Sequence, residues 1–331
     1  MTRARCISLL LLAVTAGCAS HHTATQTPIP AVAPHEFGVL VMAHGGSPEW
    51  NAAVMAAVQP LRDQYALEVA FGMADAVSIQ EAVRGLEARG VRRIGVVRLF
   101  ISGDSWYDRT EQILGLRPGA PAFPAQTAHS HESTRGDQAH SMEFWRVQTE
   151  ASYALSTHGL GEAEGVGAIL AERARVLSRH PQKEDVLILA HGAGDDSENE
   201  KLMAYVDTRA KEVRNALPFR RVQVMTLRED WPEKRQEAEG RIRAFVSGAR
   251  DNGVTTIVIP FRVQGFGPYA KVLTGLDYVA DSVGLVPHPN VAQWIVQEIR
   301  TLQREAFRSP VCTTESPDKP MQRTAGCASR R

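Results

Sequence analysis

The sequence predicts an α/β protein made of two tandem, doubly wound parallel-sheet domains that arose by internal duplication. Three observations predict it. Continuous apolar runs alternate with amphipathic stretches, the order that builds parallel sheets covered by helices. The run Phe37 to Ala43 ends in His44-Gly45-Gly46, and the run Asp185 to Ala190 ends in His191-Gly192-Ala193. A similar succession of helix, strand, helix and strand then follows each turn, so one supersecondary unit is present twice.

In the first copy, Phe37 to Ala43 is apolar throughout, as expected of a strand buried on both faces. Asn51 to Tyr65 reads as an amphipathic helix and Leu67 to Phe71 as the second strand. Ser78 to Arg89 reads as a helix with Ser78 as N-cap and Gly90 at its end, and Ile94 to Ile101 as the third strand. In the second copy, Lys201 to Leu217 and Glu233 to Asn252 read as helices, and Val222 to Leu227 and Gly253 to Phe261 as strands. Each copy closes alike. Gly159-Leu160 precedes a helix carrying Val166, Ile169 and Leu170, and Gly284-Leu285 precedes one carrying Val291, Trp294 and Ile295. The copies differ by an insert over 117–143, rich in proline and carrying His129, His131 and His140, read as a loop over the carboxyl ends of the strands.

The chain has 331 residues, with 37 basic and 37 acidic side chains, so its formal net charge is zero. No general affinity for nucleic acid is expected, and no basic run stands out. The N-terminus reads as an export signal over 1–18: Arg3 and Arg5, then an apolar stretch from Ile7 to Val14 too short to span a bilayer. It ends at Thr15-Ala16-Gly17-Cys18, which resembles a bacterial lipobox, so Cys18 is the expected lipidation site. Ala19 follows where an inner-membrane retention signal would carry Asp, so the expected location is the periplasmic side of the outer membrane, reached through the lipid anchor alone. Residues 19–35 read as a linker, 36–180 and 181–308 as the two domains, and 309–331 as a disordered tail with Cys312 and Cys327. The body between has no cysteine, which excludes a cysteine-based zinc or iron–sulfur site there. The expected assembly is a monomer whose halves form a pseudo-twofold pair.

His44 and His191 are the strongest candidates for chemistry. Each follows a buried strand and precedes a glycine turn, the crevice where open α/β sheets bind ligands. Gly45, Gly46 and Gly192 let backbone approach a ligand closely. A neutral imidazole there can bind a divalent metal or accept a proton. Alternatively, each imidazole only holds its turn. Trp106, Tyr107, Phe266 and Tyr269 follow the third strands, where they either pack on a flat ligand or cover the sheet end. His158 and His288 read as structural caps. The His-Gly-Gly turn also occurs in esterases, but no Gly-x-Ser-x-Gly elbow is present, which argues against a hydrolase.

These motifs together, namely the apolar strand ending in Ala-His-Gly, the third strand Gly90-Val91-Arg92-Arg93-Ile94 with its apolar continuation, and the closing Gly-Leu helix, resemble the sirohydrochlorin cobaltochelatases and ferrochelatases of the CbiX type. The resemblance covers roughly residues 37 to 300. It implies two flavodoxin-like domains facing each other across a cleft that holds a tetrapyrrole, with Co²⁺ or Fe²⁺ inserted and no nucleotide used. His44 matches the family's first-strand histidine and His191 is its copy, so both are expected as metal ligands and proton acceptors. The family's second histidine, after the third strand, is missing from both copies. Asp104, Asp108, His129, His131 and His140 are the candidate substitutes, with a solvated polar loop as the other reading of the histidines. The family's Glu after the second strand maps near Met73, with Asp75 two residues on. Export and the missing ligands leave open a non-catalytic metal- or tetrapyrrole-binding lipoprotein on the same fold.

Overall fold

The computed structural model describes residues 36–124 and 141–311. The export signal, the linker, Cys18, His129, His131 and His140 lie outside the described residues. Within them the chain forms two parallel sheets. Strands β1 (Phe37–Ala43), β2 (Ala66–Phe71), β3 (Arg93–Leu99) and β4 (Ser152–Leu155) make the first, in the order β2-β1-β3-β4. Strands β5 (Glu184–Ala190), β6 (Arg221–Thr226) and β7 (Thr255–Phe261) make the second, in the order β6-β5-β7. The helices are α1 (Pro48–Val58), α2 (Ala76–Glu87), α3 (Tyr107–Ile113), α4 (Gly165–Leu177), α5 (Asp196–Ala216), α6 (Pro232–Asp251), α7 (Tyr269–Val272) and α8 (Pro289–Leu302).

The uninterrupted apolar runs become the central strands. Every residue of β1 and of β5 is buried. The registers confirm the duplication: Ala43 pairs with Phe71 and Leu99, and Ala190 pairs with Thr226 and Phe261. Among the described residues, the second half has no counterpart of β4. A single parallel bridge between Ile257 and Val279 stands in its position.

Several helix ends differ from the expected ones. α1 begins at Pro48 behind the Ser47 cap and gives way to a short 3₁₀ turn over Gln59–Leu61. Pro60 has no N–H to donate and its ring crowds the preceding turn, so the α-helix cannot continue. α2 is capped by Asp75, whose carboxylate accepts from the Ser78 amide at 3.0 Å; Ser78 is therefore inside the helix. α5 starts five residues earlier than periodicity indicates, because Asp195 caps a first turn of polar residues.

The last helix of each half crosses to the other sheet. α4 packs on α5 and β7, whereas α8 packs on β3 and α1. The segment after α8 stays with the first sheet. Tyr153 and Arg308 form an antiparallel bridge, and Arg308 donates to Glu111 at 2.6 Å. The Phe307 ring meets Phe37 edge-on at 6.1 Å and lies under Arg93 at 4.3 Å. Ordered packing thus runs on through Ser309 to Val311, whose amide donates to Gly115 at 2.8 Å. No helix among the described residues is long and apolar enough to cross a membrane.

Candidate functional site

β1 and β5 are the strands from which the chain departs first to one neighbour and then to the other. Their carboxyl ends are topological switch points, where parallel sheets open a crevice. His44 and His191 occupy these two ends.

The turns are built alike. The His44 Nδ1–H donates to the Gly45 carbonyl at 2.8 Å, and the His191 Nδ1–H donates to the Gly192 carbonyl at 2.9 Å. A carbonyl oxygen only accepts, so Nδ1 carries the hydrogen and Nε2 is the nitrogen left to face outward. This is the arrangement of a histidine ready to bind a metal or take a proton. Gly45 and Gly192 have φ of 77° and 92°, a conformation that favours glycine. A Cβ at Gly192 would sit 2.8 Å from the Arg228 amide nitrogen. An asparagine from the following helix clamps each turn: Asn51 Oδ1 accepts from the Gly46 amide at 3.0 Å, and Asn199 Oδ1 from the Ala193 amide at 3.1 Å.

The surroundings are not alike. His191 Nε2 lies 3.2 Å from Asp230 Oδ2 and 3.9 Å from Glu229 Oε2. Asp230 is exposed, whereas Glu229 is largely buried and ion-paired with Arg262. The Trp231 ring stands edge-on to His191 at 6.0 Å. Arg228, buried beside them, donates to the Gly194 carbonyl at 2.6 Å and to Asp196 at 2.9 Å. His44 instead faces aromatic rings: Trp50 at 6.3 Å, which meets Phe71 at 6.4 Å. Among the described residues, no carboxylate pairs with His44.

The remaining candidates are dispersed. Asp104 is exposed in the loop after β3. Asp108, in the first turn of α3, is ion-paired with Arg117. Among the described residues, no group of three or more His, Cys, Asp or Glu is arranged to hold a metal ion. Trp106 sits at φ 59° ahead of α3 and leans on the first core. Tyr269, expected to present its ring to a ligand, is fully buried in the second core against Phe266 at 5.7 Å. Burial of both faces makes it a cover for the sheet end. Asp75 is occupied as a cap and accepts from the Ser141 hydroxyl and the Glu143 amide, which fastens the described end of the insert to α2. His288 caps α8 through the Asn290 amide at 3.0 Å and meets Glu172 at 3.1 Å. His158 caps nothing; its Nδ1 faces Glu298 at 3.6 Å, and burial holds that carboxyl above its ordinary value.

Glu229, Asp230, Trp231 and the two clamping asparagines escape a reading of the sequence that seeks the second-strand carboxylate only in the first half. The signal was present as Leu227-Arg228-Glu229-Asp230-Trp231, directly after the second strand of the second half. Arg98 was missed as well. It is a fully buried guanidinium in an apolar strand, donating to the carbonyls of Ser156, Ser105 and Gly103 and so tying together the loops after β3 and β4.

Comparison with known proteins gives a family model and a fold. Residues 38–176 match the family model described as CbiX. No curated protein matches the sequence. Among solved structures, SirB from Bacillus subtilis with Fe³⁺ aligns with a TM-score of 0.53 at 14% identity, covering 81% of this chain and 96% of that one. The sirohydrochlorin chelatase SirB from Bacillus subtilis subspecies spizizenii, in complex with cobalt, aligns at 0.49 and 16% identity, with 81% and 96% covered. DR2241 from Deinococcus radiodurans, described as a multi-domain protein with structural similarity to chelatases, aligns at 0.48 and 17% identity, covering 83% of this chain and 57% of that one. The first of these likenesses establishes the shared two-domain α/β fold.

Proposed function

We propose that the protein is a sirohydrochlorin-type chelatase, with a tetrapyrrole and Co²⁺ or Fe²⁺ as its substrates. The observation that carries this reading is the His191 turn. It sets the imidazole Nε2 at 3.2 Å from a carboxylate at a switch point of the sheet, in a chain whose first half matches the CbiX family model. Imidazole with carboxylate is a donor set that suits Co²⁺ or Fe²⁺. An incomplete set also suits an ion that must be handed on, because a closed cage would retain it.

Insertion replaces two pyrrole N–H protons of the macrocycle with one divalent ion and releases two protons. It consumes no nucleotide and no redox equivalent. His191 and Asp230 dock the ion, while His44, with no carboxylate beside it, accepts a proton through Nε2. Trp50 and Trp231 border the two imidazoles and offer apolar edges to a flat ring. The expected result is faster incorporation of Co²⁺ into sirohydrochlorin, followed by absorbance. The stretches after the two third strands, without the family's second histidine, favour a second reading, a protein that binds a metal or tetrapyrrole without catalysis. It predicts a spectral shift on binding with no acceleration.

We also propose that the chain is exported and held at the outer membrane, on its periplasmic side, by lipid on Cys18, and works as a monomer. Support comes from the short apolar stretch ending in Thr15-Ala16-Gly17-Cys18. Cys18→Ser is expected to move the protein from the membrane to the soluble fraction; continued membrane attachment would argue against lipidation.

A further inference from the structure

We propose that Asn51 and Asn199 are positioning residues for His44 and His191, each acting through a single peptide group of the intervening turn. The assignment rests on the role proposed above for the two histidines. The peptide joining Gly45 to Gly46 is held at both ends. Its N–H donates to Asn51 Oδ1 at 3.0 Å, and its carbonyl accepts from His44 Nδ1 at 2.8 Å. The peptide joining Gly192 to Ala193 is held in the same way. Its N–H donates to Asn199 Oδ1 at 3.1 Å, and its carbonyl accepts from His191 Nδ1 at 2.9 Å. Amide oxygen, peptide and imidazole thus form one hydrogen-bonded chain in each half, and the bonds of such a chain polarise and strengthen one another.

The contact survives a change of spacing. Asn51 stands seven residues after His44 and Asn199 eight after His191, because the second turn is one residue longer. Both are nevertheless the fourth residue of the following helix, behind the caps Ser47 and Asp195. Their own amides donate to the Ser47 and Asp195 carbonyls at 3.0 Å, so the first helical turn fixes where each side chain starts. Asparagine is among the weaker helix formers, and both halves carry it at this place. The turn needs such a hold. Gly45 and Gly46 flank one peptide and Gly192 precedes the other, and glycine lets a peptide plane rotate at little cost. With its N–H clamped, the plane cannot rotate, so its carbonyl stays aimed at Nδ1 and Nε2 is the nitrogen presented outward. The acceptor behind an imidazole decides which nitrogen carries the hydrogen and how the ring is turned.

The test is the ¹⁵N NMR spectrum of the imidazoles in the full chain, at a pH that keeps the rings neutral. His44→Ala and His191→Ala assign the two rings, and circular dichroism confirms folding. Wild type is expected to show a protonated Nδ1 at His44. Asn51→Ala should replace that pattern with an average of the two tautomers, and should slow Co²⁺ incorporation into sirohydrochlorin about 10-fold, as loss of a residue that orients a ligand does. Asn199→Ala should move the His191 hydrogen to Nε2, which Asp230 Oδ2 faces at 3.2 Å. Asn51→Asp keeps an acceptor oxygen in place and should keep the wild-type pattern. Should Asn51→Ala fail to fold, Asn51→Ser, too short to reach the peptide, replaces it. A protonated Nε2 at His44 in wild type, or unchanged tautomers in the alanine variants, would overturn the positioning role. If the tautomers respond as expected but wild type does not accelerate insertion, the chelatase reading fails and the positioning of the rings stands. If His44→Ala slows insertion while Asn51→Ala keeps both tautomer and rate, the positioning role alone falls.

Discussion

His191→Ala is expected to weaken Co²⁺ binding by about 100-fold, at least as much as loss of a residue that only orients a ligand costs, while His44→Ala leaves it within about twofold. The difference follows from what each imidazole faces. His191 Nε2 has Asp230 at 3.2 Å, so an ion docked there would gain a nitrogen and an oxygen donor. His44 has Trp50 and Phe71 nearby, and an ion there gains one nitrogen alone. Neither change should disturb folding. The His191 side chain is 40% exposed, and surface substitutions of this kind cost about 0.5 kcal/mol or less. Equilibrium titration of both variants checks the prediction. Equal losses would mean that the halves dock metal equivalently, contrary to the asymmetry argued above.

The second large effect is on stability. Gly159→Ala and Gly284→Ala are each expected to cost about 3 kcal/mol or more, the upper range for forcing atoms into a packed site. A Cβ at Gly159 would lie 2.3 Å from the Ile101 carbonyl oxygen and 2.6 Å from the Gly103 nitrogen. At Gly284 it would lie 2.6 Å from the Gln264 Cα and 2.7 Å from the Arg262 oxygen. These are backbone atoms that cannot swing aside. The loops they belong to are also pinned, because the Leu160 amide donates to Phe100 at 2.8 Å and the Leu285 amide to Arg262 at 2.9 Å. Gly240→Ala supplies the control. It lies inside α6 with nothing within 4 Å of a Cβ, and should stabilise by about 0.5–1 kcal/mol. Urea unfolding of the three variants measures the contrast. A near-neutral Gly159→Ala would mean that the loop after β3 yields easily.

Much of this architecture was legible before any coordinates. The runs ending in His44 and His191 are apolar because both faces of a central parallel strand are covered, and a run of that kind needs no tertiary information to recognise. The Gly-Leu closures were legible for a similar reason: only glycine fits where one loop presses on another, so the residue survives in both copies. Other parts depend on partners distant in the chain. β4 is four residues long and its pattern is too short to distinguish from a loop. The exchange of α4 and α8 between the sheets leaves no local trace, since an apolar helix face is the same whichever sheet it covers. Tyr269 read as a candidate ring for a ligand because its position after the third strand was visible and its complete burial was not. The carboxylates beside His191 were missed for a further reason. After the second and third strands one half holds apolar Ala74 and Phe100 where the other holds Glu229 and Arg262, so the pattern of the first half does not point to the second half's charges.

In the proposed reaction the two histidine turns together carry metal insertion. Its most direct test is the rate of Co²⁺ incorporation into sirohydrochlorin, without oxygen and with protein at substoichiometric amounts, followed by absorbance against a protein-free control. Acceleration by the wild-type chain, lost in the protein carrying both His44→Ala and His191→Ala, is the predicted result. A rate equal to the control, or an acceleration that the double variant retains in full, would contradict it.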